Sequence, residues 1–284
     1  MTRSFPKPSL SVGKPLDVSV LCGDWANTDR SGAGGMLGLT VTEDQGALWV
    51  RGVGMAKPVA YDWQRVRAGS YAPNPTSGQA WSFLADYDFG FMRTVISAYC
   101  KLDILITTTY NIFSDGSERT DYWTREFFHR RLLAEPPSST TPPPSISRDR
   151  DRRAATTHGH VDPATMIGRW VNFDRTSPGI TEVTVAGTTD HLAVVVGELG
   201  PHGLRRWPEL PVFAMAENTG GGPAIGFVAT GDLFGERSEG PHAGTLCAYL
   251  NRGLLTVDAH LADVHGQAHT MTRTHLHLAE EATA

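Results

Sequence analysis

The sequence predicts an all-β protein built from two tandem antiparallel up-and-down barrels, or half-barrels, that arose by internal duplication. Three observations predict this fold: a repeated motif, short strand-like segments joined by turns, and a proline-rich segment between two similar halves. Residues 23–30 read GDWANTDR and residues 168–175 read GRWVNFDR, so five of eight positions agree, including a tryptophan. Agreement of this kind is hard to obtain by chance and therefore indicates a duplication.

The similarity continues beyond the motif, because residues 80–85 parallel 224–229 and Ala98-Tyr99 parallels Ala248-Tyr249. Between the two halves lies a segment with three consecutive prolines, many serines and threonines, and almost no bulky apolar residues. Such a segment cannot bury enough surface to offset its chain entropy, so we expect it to be disordered. The predicted organisation is an N-terminal extension at 1–17, repeat 1 at 18–133, a disordered linker at 134–163, and repeat 2 at 164–280.

The apolar pattern inside each repeat is typical of strands. Residues 39–42 and 47–53 flank a short turn, which is a hairpin signal. The sequence Asn251-Arg252-Gly253 is a good turn between two further apolar segments. We find no stretch of a dozen residues with helical apolar spacing. Successive strands joined by short loops favour a sheet that curls and closes, since closure removes exposed strand edges.

Composition excludes several classes of partner. The net charge is −5 and no block of lysines and arginines extends over a face, so we expect no nucleic acid. The 3 cysteines have no C-x-x-C spacing, which argues against a disulfide framework or a structural zinc site. No apolar run approaches a signal peptide or a membrane span, so we expect a cytoplasmic protein without a membrane partner. Self-association into a homo-oligomer is left open.

The segment Gly23-x-Trp25 resembles the opening of the lipocalin and avidin-type barrels, the calycins. In that family the tryptophan plugs one end of the barrel and an arginine from the last strand packs across it. The resemblance implies that Arg125 covers Trp25 and that Arg273 covers Trp170. The plan of two tandem lipocalin-like barrels is also similar to carotenoid hydratase-like proteins and to pericyclase-type cyclases of natural-product pathways.

If Arg125 points inward as the resemblance implies, alternation along the last strand places Asp121 and Trp123 on the same inward face. Repeat 1 also retains more large aromatic residues than repeat 2, so we place the ligand inside repeat 1 or at the interface between the repeats. The expected ligand-binding residues are Trp81, Phe83, Tyr110, Trp123 and Arg119. A structural Arg–Asp pair beside a core tryptophan is the competing interpretation.

The expected acids, bases and charge-stabilising groups are Asp121, Asp86, Tyr99 and Arg125. Asp86 lies in the apolar context FLADYDFGF, where burial would let a carboxylate act as a general acid or base. The alternative is a solvated strand end that leaves both Asp86 and Asp88 exposed.

Metal and nucleotide chemistry have little support. His275 and His277 form a His-x-His pair on a strand face that His269 shares. A third ligand would have to come from elsewhere, such as His260 or Asp258, so we expect no metal site. The sequence has no G-x-S-x-G, Walker or dinucleotide-binding motif in the required context, and we expect no cofactor.

Two functions from different classes follow from this pattern. The first is a cofactor-independent cyclase or isomerase that acts on a hydrophobic, conjugated small molecule in specialised metabolism. The second is a non-catalytic carrier for an apolar small molecule. A weaker third alternative is an assembly module whose barrels present surfaces to a partner.

Overall fold

The first repeat forms a closed antiparallel barrel of eight strands, which we call barrel 1. The computed structural model describes residues 14–29, 35–54, 61–116, 119–131, 159–189, 191–200, 203–233, 243–262 and 269–280. The strands of barrel 1 follow one another in chain order, and the last pairs back with the first. They are β1 (Gly23–Asn27), β2 (Met36–Asp44), β3 (Ala47–Gly54), β4 (Tyr61–Tyr71), β5 (Ser82–Asp88), β6 (Met92–Lys101), β7 (Ile104–Phe113) and β8 (Tyr122–Arg130).

The second repeat forms barrel 2, which is also closed by eight antiparallel strands. Its strands are β10 (Gly168–Asn172), β11 (Gly179–Thr188), β12 (His191–Gly200), β14 (Leu210–Met215), β16 (Gly226–Asp232), β17 (Ala243–Asn251), β18 (Leu254–Ala262) and β19 (Thr270–Leu278). Three short strands lie outside this circuit: β9 (Val161–Asp162), β13 (Gly203–Arg206) and β15 (Gly222–Pro223). One 3-10 turn, Pro163–Thr165, precedes β10. The predicted all-β fold with two duplicated barrels is therefore confirmed.

Tight turns connect the central strands of both barrels. Leu102 and Asp103, between β6 and β7, have φ angles of 50° and 59°. Arg252 and Gly253 occupy the corresponding turn of barrel 2, at 50° and 81°. Two successive residues with positive φ match the twist of an antiparallel hairpin, and glycine adopts this conformation without strain.

The two motif tryptophans occupy equivalent buried places at the start of each barrel. The indole nitrogen of Trp25 donates to the carbonyl oxygen of Leu21 at 2.9 Å, and that of Trp170 donates to Met166 at 2.9 Å. Together with the residues that precede them, these indoles close one end of each barrel, which we call the closed end.

The expected partner of Trp25 was wrong. The guanidinium that covers this indole belongs to Arg130, whose central carbon lies 4.4 Å from the ring centroid. Arg130 also donates to the carbonyl oxygen of Val20 at 2.9 Å and to that of Cys22. In barrel 2 the position opposite Trp170 is Leu278, so Arg273 does not cover that tryptophan.

The barrels pack against each other through their outer faces. A cluster of buried apolar residues joins Tyr110 and Leu84 of barrel 1 to Val228 and Cys247 of barrel 2. This interface has approximate two-fold symmetry, since two equivalent parallel bridges link the barrels. One bridge pairs Ala72 with Thr270, and the other pairs Ala216 with Tyr122.

The predicted linker is mostly outside the described part of the chain, which omits residues 132–158. Of the segment assigned to it, Val161–Asp162 pairs with Gly222–Pro223 in a small parallel sheet. In the described residues no helix has the length and apolar character needed to cross a membrane.

Candidate functional site in the first barrel

A buried carboxylate lies inside barrel 1. Glu126 is in the middle of β8 and is only 5% exposed. Its Oε1 atom accepts hydrogen bonds from the Asn27 side-chain amide at 3.0 Å and from the backbone nitrogen of Met36 at 3.2 Å. The same Asn27 amide donates to the carbonyl oxygen of Met36 at 2.7 Å. One carboxylate oxygen of Glu126 is thus held where β1 ends and β2 begins.

Three threonine hydroxyls lie beside this carboxylate on the inner face. Thr107 is the cross-strand neighbour of Glu126, and Thr109 is the neighbour of Thr124. The three hydroxyl oxygens are buried and make no hydrogen bond within the described structure. A buried hydroxyl without a partner costs about 1–3 kcal/mol, so a group of them marks a place suited to a polar ligand atom. We call Glu126, Thr107, Thr109 and Thr124 the polar interior cluster.

The polar interior cluster continues toward the start of β6. The Thr94 hydroxyl donates to the side-chain oxygen of Asn111 at 2.9 Å, and the Asn111 amide donates to the carbonyl oxygen of Tyr122 at 3.2 Å. These two side chains satisfy each other and the backbone. They therefore extend the polar surface without adding a free group.

The rest of the interior is apolar. Phe83 and Ala85 of β5 pack with Ile96 and Ala98 of β6 in the core of barrel 1. Tyr87 also points inward, but its hydroxyl donates to Val50 and accepts from Gly52 N. Burial raises the pKa of this phenol, which therefore stays neutral. A ligand in this interior would meet apolar walls and one polar region.

Barrel 2 has no equivalent of this cluster. Alignment of the strand registers places Val257 where Thr107 stands, Ala259 where Thr109 stands, and Thr274 where Glu126 stands. Two of these positions are apolar in barrel 2 and the third holds an uncharged threonine, so barrel 2 lacks a carboxylate at the position of Glu126. The two repeats share a fold but differ on the inner face of their last two strands.

The residues expected inside repeat 1 divide into three groups. Phe83 is the one that lies in the barrel 1 interior. Arg119 and Asp121 lie at the end of barrel 1 opposite the closed end, where β7 leads into β8. The Phe113 backbone nitrogen donates to Asp121 at 2.8 Å. Arg119 pairs with Asp115, and its guanidinium lies 4.2 Å from the Phe113 ring centroid.

The largest group faces barrel 2, so its expected inward orientation was wrong. These residues are Trp81, Tyr99, Tyr110, Trp123 and Arg125.

Contacts across the interface establish this orientation. The rings of Trp123 and Tyr249 are 5.4 Å apart, and the Tyr110 hydroxyl donates to the carbonyl oxygen of Ala248 at 3.4 Å. The Arg125 guanidinium lies 5.3 Å from the Tyr249 ring centroid. These side chains therefore hold the barrels together, and the arrangement supports the alternative of interface packing.

Asp86 has a structural partner at the outer surface of barrel 1. Arg93 Nε donates to its Oδ1 at 2.7 Å, and Arg93 Nη2 donates to its Oδ2 at 2.5 Å. The neighbouring strand residues Phe83, Ala85 and Tyr87 point inward, which places Asp86 on the outer face. This bidentate pair occupies both carboxylate oxygens and leaves Asp86 poorly placed for proton transfer in the barrel.

The polar interior cluster was missed by sequence reasoning because the inward face of β8 had been assigned to the wrong residues. A usable signal was present in the run of threonines at 107–109, whose first and third members must share a face. Among the described residues, no group of three His, Cys, Asp or Glu side chains is placed to hold a metal ion.

Comparison with known proteins identifies no family. No family model matches the chain, and no curated protein matches it. Among solved structures, the dehydratase domain from the terminal module of the rifamycin polyketide synthase aligns with 90% of this chain and 98% of its own length. The sequence identity is 11% and the TM-score is 0.14, an overlap that supports no argument about fold or activity.

Proposed function

We propose that barrel 1 binds a small, mainly apolar molecule and that Glu126 moves a proton on it in a cofactor-independent isomerisation or cyclisation. The observation that carries this proposal is the polar interior cluster in an otherwise apolar barrel, at positions that are apolar or uncharged in barrel 2. The eight-stranded barrel closed by Trp25 and Arg130 further supports a lipocalin-like relationship.

In the proposed reaction, the apolar and the polar residues of the barrel interior would have different roles. The apolar side, which includes Phe83 and Ile96, would hold a conjugated chain in one reactive conformation. Glu126 would accept a proton from carbon and return it at another position. The hydroxyls of Thr107 and Thr109 would donate to an oxygen on which negative charge develops.

Glu126 replaces the acids and bases expected from the sequence. Asp86 is engaged by Arg93, and Tyr99 and Arg125 lie in the barrel interface. Asp121 remains at the rim of barrel 1, where it would contribute to ligand entry rather than to proton transfer.

A carrier function is the second candidate, and two hydrogen bonds to Glu126 favour it. Asn27 and the Met36 backbone nitrogen fix one oxygen of Glu126 as a hydrogen-bond acceptor. A carboxylate held in this way can orient a bound donor without exchanging a proton. Both functions would place the ligand at the polar interior cluster, and they differ in whether Glu126 transfers a proton.

The experiment uses β-ionone, a conjugated ketone, as a probe with the full-length chain. Quenching of tryptophan fluorescence measures binding, and uptake of deuterium from D2O at its acidic carbon positions measures proton transfer. Glu126→Gln keeps the shape of the side chain, so binding should change little while exchange falls by about 100-fold or more. Thr274→Val, at the equivalent position of barrel 2, should leave both measurements unchanged.

Each outcome distinguishes the alternatives. Binding without exchange by the unmodified protein supports the carrier. If Thr107→Val binds β-ionone as the unmodified protein does, and Glu126→Gln exchanges deuterium as fast as the unmodified protein, the polar interior cluster is not the site and the proposal fails.

A further inference from the structure

A cavity lies at the closed end of barrel 1, away from the polar interior cluster. It has a volume of about 120 Å³ and lies between the segment that precedes β1, the β2–β3 hairpin and the end of β4. Its polar lining comes from Lys14, Glu43, Arg67, Ser70 and His269. We call this cavity the cationic cleft.

The cleft carries more positive than negative charge. Lys14 and Arg67 supply two cations, and Glu43 supplies one carboxylate. Within the described residues, neither Lys14 nor Arg67 forms an ion pair. Arg65, a neighbour of Arg67 on β4, does form an ion pair, with Asp44.

A side chain from barrel 2 completes the lining. His269 is 5% exposed, and its carbonyl oxygen accepts from the backbone nitrogen of Ala72 at 2.8 Å. Its ring lies 5.8 Å from the ring of Tyr71. The bridge between the barrels therefore positions this residue. Ser70, whose side chain carries a hydroxyl, also lines the cavity at the end of β4.

We propose that the cationic cleft binds a small oxyanion, of the size of phosphate or a short carboxylate. Two cations, a hydroxyl and an imidazole around a cavity of about 120 Å³ match the charge and size of such a group. The apolar floor, formed by Leu16, Val18 and Leu48, limits hydration and strengthens the attraction. Because His269 belongs to barrel 2, bound anion would tie the two barrels together.

The test is calorimetric titration of the full-length protein with inorganic phosphate, sulfate and acetate, each against sodium chloride of equal ionic strength. We expect saturable binding of at least one oxyanion with a dissociation constant on the order of 1 mM. Preference for phosphate and sulfate over acetate would identify a phosphoryl-type ligand, and the reverse order would identify a carboxylate.

Substitutions of the lining residues test whether the oxyanion binds in the cationic cleft. Lys14→Gln and Arg67→Gln remove exposed cations and should each weaken binding by about tenfold, while Arg65→Gln should change it by less than about twofold. Glu126→Gln should have no effect, which separates this result from that of the barrel 1 pocket. The proposal is overturned if no oxyanion binds beyond the chloride blank, or if Arg65→Gln weakens binding as much as Arg67→Gln.

Discussion

The guanidinium carbon of Arg273 lies 3.6 Å from the centroid of the Tyr99 ring, across the interface between the two barrels. The equivalent contact related by the approximate two-fold axis joins Arg125 to Tyr249 at 5.3 Å. The difference has an electrostatic cause: Asp258 is opposite Arg273 on the neighbouring strand, whereas an uncharged threonine is opposite Arg125. Asp258 thus holds one arginine of the pair in place over its ring.

We expect Asp258→Asn to lower the free energy of unfolding by about 3–5 kcal/mol, because it leaves a largely buried cation without its counter-charge. Asp258 is fully buried, and Arg273 donates two hydrogen bonds to it at 2.6 and 2.5 Å. Burial lowers the pKa of Arg273, but its hydrogen bond to Asp258 outweighs this and holds the pKa above its ordinary value. Urea denaturation followed by circular dichroism measures the change.

The matched control for this variant is Asp44→Asn. The side chains of Arg65 and Asp44 are 58% and 47% exposed, so solvent screens their attraction and the expected loss is below about 1 kcal/mol. Equal losses in the two variants would contradict the role assigned to Asp258.

Arg130→Ala should destabilise barrel 1 by about 2–3 kcal/mol, since it removes a cation over Trp25 and hydrogen bonds to two backbone carbonyls. Thermal unfolding monitored by tryptophan fluorescence reports this loss. Arg125→Ala is the comparison, because its guanidinium makes only ring contacts in the described structure and should cost less. A larger loss for Arg125→Ala would contradict the role assigned to Arg130.

The duplication and the strand content could be predicted because they depend on local signals. The motif places Trp25 and Trp170 in equivalent environments, and the turn residues Arg252 and Gly253 adopt the positive φ angles that their sequence favours. These features need only the order of residues along one strand or turn. They do not depend on what packs against the barrel.

The inward face of β8 could not be predicted in the same way. Alternation gives the period of a strand, but one residue with known orientation must set its phase. Arg125 was used for this purpose, whereas the residue that covers Trp25 is Arg130, five positions further on. Because five is an odd number, Arg125 and Arg130 lie on opposite faces of β8. With Arg130 as the inward residue, Trp123 faces the interface and Glu126 faces the barrel interior.

A second reason why the site could not be predicted from the sequence concerns the aromatic residues of repeat 1. Strand β6 is buried on both faces, one in the barrel core and the other against barrel 2. Sequence composition cannot separate these two environments, because each buries apolar side chains equally well. The rings of Tyr99 and Tyr110 therefore resembled pocket residues although they pack between the barrels.

Gly226→Val should disrupt the interface, because Trp123 packs directly on this glycine. A Cβ atom at Gly226 would lie 3.0 Å from the carbonyl oxygen of Ala248 and 3.1 Å from Cδ1 of Trp123. The added side chain would displace the indole, at a cost of about 1–3 kcal/mol. A red shift of tryptophan emission and a lower unfolding midpoint are the expected observations. Gly78→Val, which meets no atom within 4 Å, should produce neither change.

His260 should make the stability of the protein depend on pH below neutrality. Its Nε2 atom lies 2.9 Å from the Ser97 hydroxyl, and the edge of the ring contacts Tyr71 at 4.8 Å between centroids. Burial, together with the positive charge of Arg273, lowers its pKa from 6.5 to about 3. Asp258, which would favour protonation, is occupied by Arg273.

The direction of this pH dependence follows from the pKa values of His260 in the unfolded and the folded protein. In the unfolded chain His260 binds a proton as the pH falls below about 6.5, whereas in the folded protein it stays neutral until about pH 3. The contribution of His260 to the free energy of unfolding is therefore fully present above pH 6.5. Below that pH, the free energy of unfolding should fall by about 1.4 kcal/mol per pH unit. Urea unfolding between pH 7.5 and pH 5 measures the effect above the range in which carboxylates mainly titrate. Burial also lowers the pKa of His275, so the contribution of His260 is the difference between the unmodified protein and His260→Gln. His260→Gln should flatten the dependence, and His129→Gln, at an exposed position of β8, should preserve it. An unchanged slope in His260→Gln would show that other groups cause the acid sensitivity.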